Sequence, residues 1–147
     1  MEAIFQCTQG GLISQTYSTL KHHPKRVYLW TKPVPHLWLF EKCSAILHHG
    51  GSGTVASVLL TRKPQIICPV MFDQMFWAEH LSWEGLAYQC CSHMKQLTAG
   101  ELTHALKVVH GVAMKKHIED VGTQLSKEDG LQVALTEISK ILKQTPT

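Results

Sequence analysis

The run His48-His49-Gly50-Gly51-Ser52-Gly53-Thr54 puts three glycines, two hydroxyls and two imidazoles into seven consecutive positions. Glycines let a backbone turn sharply and let a ligand approach it closely. Ser44-Ala45-Ile46-Leu47 before the run reads as a short buried strand, and Val55-Ala56-Ser57-Val58-Leu59-Leu60 after it as a helix packed on a sheet. The run therefore falls where a strand hands over to a helix. The first turn of such a helix carries unpaired N–H groups and the positive end of the helix dipole, which suits a phosphate. A neighbouring histidine adds a further donor. One exposed helix end contributes only about 0.3–1 kcal/mol, and ~2 kcal/mol when partly buried, so several donors must converge on one anion. The competing reading of Gly50 to Gly53 is an ordinary tight turn.

Other reactive types along the chain have plainer readings. Asp73 is most simply the N-cap of a helix that starts at Gln74, with Phe76 and Trp77 as packing residues. His36 either touches a ligand or caps a short helix over 37–42. The cluster Cys90-Cys91-Ser92-His93 reads as a strand end and loop. Five cysteines, odd in number and without a CxxC pair, fit a reduced cytosolic chain in which Cys43 and Cys68 act as small core residues. Ten histidines show neither HExxH nor paired Cys/His spacing, so no metal site is expected.

The elements that would position these residues alternate. Strands are expected over 26–30, 44–47, 65–68 and 87–90, with helices over 37–42, 53–61 and 74–83 between them. Strand-helix-strand units imply a parallel sheet, so the fold class is α/β: a Rossmann-like parallel sheet flanked by helices. The last third reads as helical. Thr98-Ala99-Gly100-Glu101 forms a capping box, and Leu102, Ala105, Leu106 and Val109 then recur on one helical face. Val121 and Leu125 mark a second helix; Leu131, Leu135, Ile138 and Leu142 mark a third, entered through Glu128-Asp129-Gly130. No repeat or linker divides the 147 residues, and one domain is expected.

Composition excludes several classes. A net charge of +3 with dispersed lysines gives no nucleic-acid footprint; Lys21 to Arg26, the longest basic cluster, is interrupted by His22, His23 and Pro24. The N-terminus Met1-Glu2-Ala3 has no signal-peptide character, and the glycine turn interrupts the uncharged stretch 43–61, so no membrane span is expected. The absence of asparagine rules out N-glycosylation.

From about Gln9 to Leu142 the chain resembles the C-terminal, donor-binding domain of family 1 glycosyltransferases with the GT-B fold, most of all the sterol glucosyltransferase branch. The matching pieces, in order, are Gln9-Gly10-Gly11-Leu12-Ile13, Val34-Pro35-His36, Trp38-Leu39-Phe40, the 48–54 run, Pro64, Pro69, Asp73-Gln74, Phe76-Trp77, Gly85, Leu97-Thr98 and Glu128-Asp129-Gly130. The glycine run together with Asp73-Gln74-x-Phe76-Trp77 is the most specific part. The resemblance implies the C-terminal half of a GT-B fold that binds a UDP-sugar. His49, Gly51, Ser52, Gly53 and Thr54 would hold the diphosphate, and Asp73 and Gln74 the sugar hydroxyls. Val34, Pro35 and His36 would lie near the nucleoside.

The chemistry agrees with that assignment. A leaving nucleoside diphosphate gains negative charge, which a divalent metal or converging dipoles must offset. This chain has no Asp-x-Asp pair, so the helix end and His49 would do so without metal or cofactor. A carboxylate beside a carboxamide suits a sugar, since Asp73 can accept from two vicinal hydroxyls while Gln74 both accepts and donates.

The departures from the family pattern are specific. The acceptor-binding half with its catalytic base is expected to lie outside the 147 residues, so no residue here is assigned as catalytic. The chain is expected to begin within the helix that follows the first strand of the donor domain, leaving an open sheet edge for self-association. Leu37 stands where the sterol branch has Asp, Arg62-Lys63 replaces the glycine expected before Pro64, and Pro33 occupies the place of a tryptophan that stacks on uracil in plant relatives. Two functions follow. One is the donor domain of a cytoplasmic or membrane-peripheral hexosyltransferase acting on a sterol-like, lipid or small hydroxyl acceptor, the chain being a fragment, a short isoform, or one subunit that docks with a separate acceptor-binding half. The other is a non-catalytic nucleotide-sugar-binding or interaction module.

Overall fold

The computed structural model describes residues 3–6, 27–30, 32–91 and 96–144. The chain forms two compact units, 1–35 and 36–147. The expected pieces at Gln9 to Ile13, Lys21 to Arg26 and Ser92-His93 lie outside the described residues.

In the first unit, β1 (Ala3–Gln6) pairs in parallel with β2 (Val27–Trp30), with Ala3 opposite Val27 and Gln6 opposite Trp30. This corrects the expectation that the chain opens inside a helix. Val27-Tyr28-Leu29-Trp30 is a strongly β-favouring partner, and pairing with it makes Ala3-Ile4-Phe5-Gln6 a strand. The expected open sheet edge rested on the absence of a strand before Gln9, and that ground falls away.

The second unit carries the site. It runs α1 (His36–Phe40), β3 (Ile46–His48), α2 (Ser52–Leu60), β4 (Gln65–Ile67), α3 (Gln74–Trp83), β5 (Tyr88–Gln89), α4 (Ala99–Val109), α5 (Val112–Leu125) and α6 (Gly130–Gln144). The strands form one parallel sheet in the order β3-β4-β5, with Ile46 opposite Gln65 and Ile67 opposite Gln89. The central strand β4 is buried along its whole length, as a parallel strand covered on both faces must be.

Alternation along β4 divides the core. Ile67 packs with Val55 of α2, Ala78 and Leu81 of α3, and Ile118 of α5. Ile66 and Cys68 point the other way, with Cys90 and with Ala105 and Val109 of α4. Burying one such side chain contributes about 1.5–3 kcal/mol, so these two clusters hold the helices to the sheet.

Boundaries move by one or two residues where the ladder decides. The strand expected over 44–47 is Ile46–His48, because the Cys68 N–H bonds the His48 carbonyl at 2.9 Å and extends the pairing. The turn thus starts at His49. Thr98 caps α4 as expected, accepting from the Glu101 N–H at 3.1 Å, while the Glu101 carboxylate accepts from the Cys91 N–H at 2.8 Å. Helix α6 forms where the period placed it, but Leu131, Leu135, Ile138 and Leu142 are all exposed.

Candidate functional site

Both segments singled out in the sequence follow the carboxyl ends of neighbouring parallel strands, where open α/β sheets bind ligands. The turn after β3 leads into α2. Gly51 stands at its N-cap with no side-chain cap, and the Thr54 and Val55 N–H groups bond the Gly51 carbonyl at 2.9 and 3.0 Å. The N–H groups of Ser52 and Gly53 have no partner of this kind within the helix. Ser52 and Gly53 are exposed, and Thr54 is half-buried.

Gly50 is required by both conformation and space. Its φ is +92°, a region that disfavours side chains. A Cβ there would stand 2.8 Å from Ile67 Cγ2 and 3.2 Å from the Gln74 carbonyl. The second contact brings the glycine turn against the first residue of α3, so the two halves of the expected site are neighbours. His49 is exposed, and its ring folds over Gly51, with Nε2 2.7 Å from where a Gly51 Cβ would be. The imidazole therefore sits at the open start of α2.

After β4, the loop through Pro69 to Phe72 is wound tightly. Phe72 takes φ 55° and is 85% exposed, a left-handed residue directly before Asp73. The Gln74 Oε1 accepts from the Val70 and Met71 N–H groups at 2.9 and 3.1 Å, closing the loop onto the start of α3. This corrects one expectation. The Gln74 carbonyl is committed to the loop, and its amide nitrogen alone remains to donate to a ligand. Asp73 stands at the N-cap of α3 but makes no side-chain cap bond. Its Oδ2 instead accepts from the Trp77 indole N–H at 3.2 Å, one helical turn on, and among the described residues Oδ1 has no partner.

Trp77 is the residue that sequence reasoning undervalued. It packs on the core beside Ala78 and Leu81 and also fixes the Asp73 carboxylate. The signal was available in the i, i+4 spacing, which places the two side chains on one face of α3.

The expected nucleoside residues divide between the units. Val34 and Pro35 belong to the first and His36 to the second. His36 is the first residue of α1 and stacks on Phe40 at 4.8 Å instead of capping the helix, while its charge bears on His48. Among the described residues no group of three His, Cys, Asp or Glu is placed to share a cation, and no helix is long and apolar enough to cross a membrane.

The sequence model of the erythromycin biosynthesis protein CIII-like C-terminal domain matches residues 11–144. A UDP-sugar-dependent glycosyltransferase of Dictyostelium discoideum is 37% identical over 118 residues, covering 80% of this chain and 7% of that protein. A sterol 3-beta-glucosyltransferase of Arabidopsis thaliana is 30% identical over 139 residues, covering 92% of this chain and 22% of that protein. Among solved structures, the glycosyltransferase VinC in complex with dTDP superposes with a TM-score of 0.76 at 23% identity, covering 90% of this chain and 33% of that one. The glycotransferase of kitacinnamycin gives 0.74 at 18% identity, covering 95% and 43%. The chain thus spans a minor part of each relative, and the two structures speak to fold.

Proposed function

The chain belongs to the erythromycin biosynthesis protein CIII-like C-terminal domains of family 1 glycosyltransferases, and from that premise we propose that it is the donor-binding part of a UDP-sugar-dependent hexosyltransferase. The observation that carries the proposal is the contact between Gly50 and the Gln74 backbone. A diphosphate at the start of α2 and a hexose at Asp73-Gln74 then fall within one ligand's reach.

In this reading the leaving diphosphate meets the first N–H groups of α2 and the His49 ring. Dipoles fixed in advance toward a developing charge cost no reorganisation when the bond breaks. Asp73 accepts from a sugar hydroxyl through Oδ1 while Trp77 holds Oδ2, and the Gln74 amide donates to a second hydroxyl. His36 stands on the nucleoside side. Metal is not needed to bind the donor, and deprotonation of the acceptor is assigned to no residue of this chain. The acceptor is a sterol-like, lipid or small hydroxyl compound, a class supported by relatives that are sterol 3-beta-glucosyltransferases. Such an acceptor would bring a cytoplasmic chain to a membrane surface.

Calorimetric titration of UDP into the chain tests the donor reading. Wild type is expected to bind, and His49→Ala to lose about 10- to 150-fold in affinity, the equivalent of roughly 1.5–3 kcal/mol for one hydrogen bond to a charged group. No heat at millimolar UDP, or equal affinity in His49→Ala, contradicts it.

A further inference from the structure

The first histidine of the pair, His48, has no part in the donor site as described, yet both of its ring nitrogens have buried hydrogen-bond partners. His48 is buried at the end of β3. Its Nδ1 accepts from the Gly50 N–H at 3.0 Å, so that nitrogen carries a lone pair and the ring proton sits on Nε2. Nε2 lies 3.1 Å from the Gln65 Oε1 and donates to it. Gln65 is fully buried on β4, and its own Nε2 donates to the Leu86 carbonyl at 3.3 Å. The amide orientation is thereby fixed: reversing it would set NH₂ against the imidazole N–H and the carbonyl oxygen against the Leu86 carbonyl. Leu86 in turn packs in the cluster with Ile67 and Ala78. One continuous relay runs from the sheet core to the N–H of a glycine in a left-handed conformation.

We infer that His48 is a positioning residue for the donor diphosphate, locked by Gln65 as the Nε2–H tautomer so that its Nδ1 fixes the Gly50 N–H and with it the anion-binding turn. The inference rests on the donor reading above. Gly50 also touches the Gln74 backbone, so the relay sets the diphosphate turn and the hexose pair together.

The relay works only with a neutral ring. A proton on Nδ1 would face the Gly50 N–H and break the contact. Burial above all holds the imidazole down at about 4; the Gln65 bond opposes it, and the nearby His49 and His36 add smaller pushes downward. The groups facing His48 are therefore His36 on α1, His49 in the turn and Gln65 on β4. Protonation of His48 as pH falls toward that value would break the relay and weaken the hold on an anion.

Long-range ¹H–¹⁵N spectra of the wild-type chain, with UDP titrations of wild type, His48→Asn, His48→Leu and Gln65→Leu, test this. The expected spectrum shows His48 bare at Nδ1 and protonated at Nε2 from pH 7 to pH 5. His48→Asn retains an acceptor two residues before the Gly50 N–H and should bind UDP within about 3-fold of wild type. His48→Leu and Gln65→Leu should each lose at least about 10-fold, the equivalent of one net hydrogen bond in the turn. Wild-type affinity should fall as pH approaches 4, and His48→Asn should lack that fall. A proton on Nδ1, or Gln65→Leu binding as tightly as wild type, overturns the inference while leaving the donor site standing. If wild type fails to bind UDP, the donor reading and this inference fail together. If both leucine variants unfold, the tautomer and the pH profiles of wild type and His48→Asn decide alone.

Discussion

Gly53 and Asp73 show how single residues separate fold from ligand. A Cβ on Gly53 would meet nothing within 4 Å, and its φ is not in the left-handed region. Glycine costs about 0.5–1 kcal/mol relative to alanine inside a helix, so Gly53→Ala should raise stability by up to roughly that amount. If a diphosphate approaches the start of α2 closely, the same methyl group stands in its way. Urea unfolding and UDP titration of Gly53→Ala should therefore move in opposite directions, the fold gaining and the affinity falling. A gain in both would mean that no ligand uses that space.

Asp73 depends on Trp77 for the orientation of one carboxylate oxygen. Trp77→Phe keeps most of the packing and removes the indole donor. It is expected to leave UDP affinity within about 2-fold and to weaken UDP-glucose by about 3- to 10-fold, since one hydrogen bond is worth roughly 0.5–1.5 kcal/mol. Parallel titrations of the two ligands check this, and an equal loss for both would put Trp77 in a general packing role.

At the scale of elements, α2 ends at a junction that substitutes chemistry for the family's glycine. Arg62 takes φ 54°, a backbone position at which glycine is the comfortable residue. Its stem lies over Gly122 of α5, and its guanidinium is 3.6 Å from the exposed Glu119 carboxylate, a pair worth little in water. The close approach is what α5 must preserve: a Cβ on Gly122 would stand 2.5 Å from the Leu59 carbonyl and 2.6 Å from Arg62 Cγ. The side chain can swing away, but the carbonyl ends α2 and cannot. Gly122→Ala should therefore cost about 1–3 kcal/mol, read as a lower urea midpoint with an unchanged slope. Wild-type stability in this variant would mean that α2 and α5 are not seated together as described.

The same scale shows what the sequence could and could not tell. Gln74 to Trp83 was legible to the residue, although the Asp73 carboxylate that marks its start bonds Trp77 and not the helix N–H groups. The β3 end was not, since pairing of the His48 carbonyl with Cys68 is a contact across 20 residues that no local pattern encodes. Strand β1 was hidden for the same reason. The site's residue types were readable, but their division of labour was not: Gln74 turns its carbonyl inward to the loop and Asp73 turns one oxygen to Trp77. Local spacing lists candidate partners; packing chooses among them.

Across the whole molecule, the two units bear differently on function. The second contains the parallel sheet, the glycine turn and the acid-amide pair, and it also ends in α6, whose described side chains are exposed throughout. The apolar period of α6 was legible, but burial is a property of what surrounds a helix and cannot be read from its own spacing. Val34 and Pro35, which the resemblance assigns to the nucleoside, belong to the first unit. The family relation covers residues 11–144 and so takes in both units.

In the proposed donor site one ligand spans the glycine turn and the Asp73-Gln74 pair. Amide chemical-shift mapping with UDP-glucose and with UDP tests it most directly. With UDP-glucose, the Gly50 to Thr54 amides and those of Asp73 and Gln74 should shift together and saturate at one concentration, whereas UDP should move the first group far more than the second. Shifts confined to one segment, two different saturation points, or none at millimolar ligand would contradict the account.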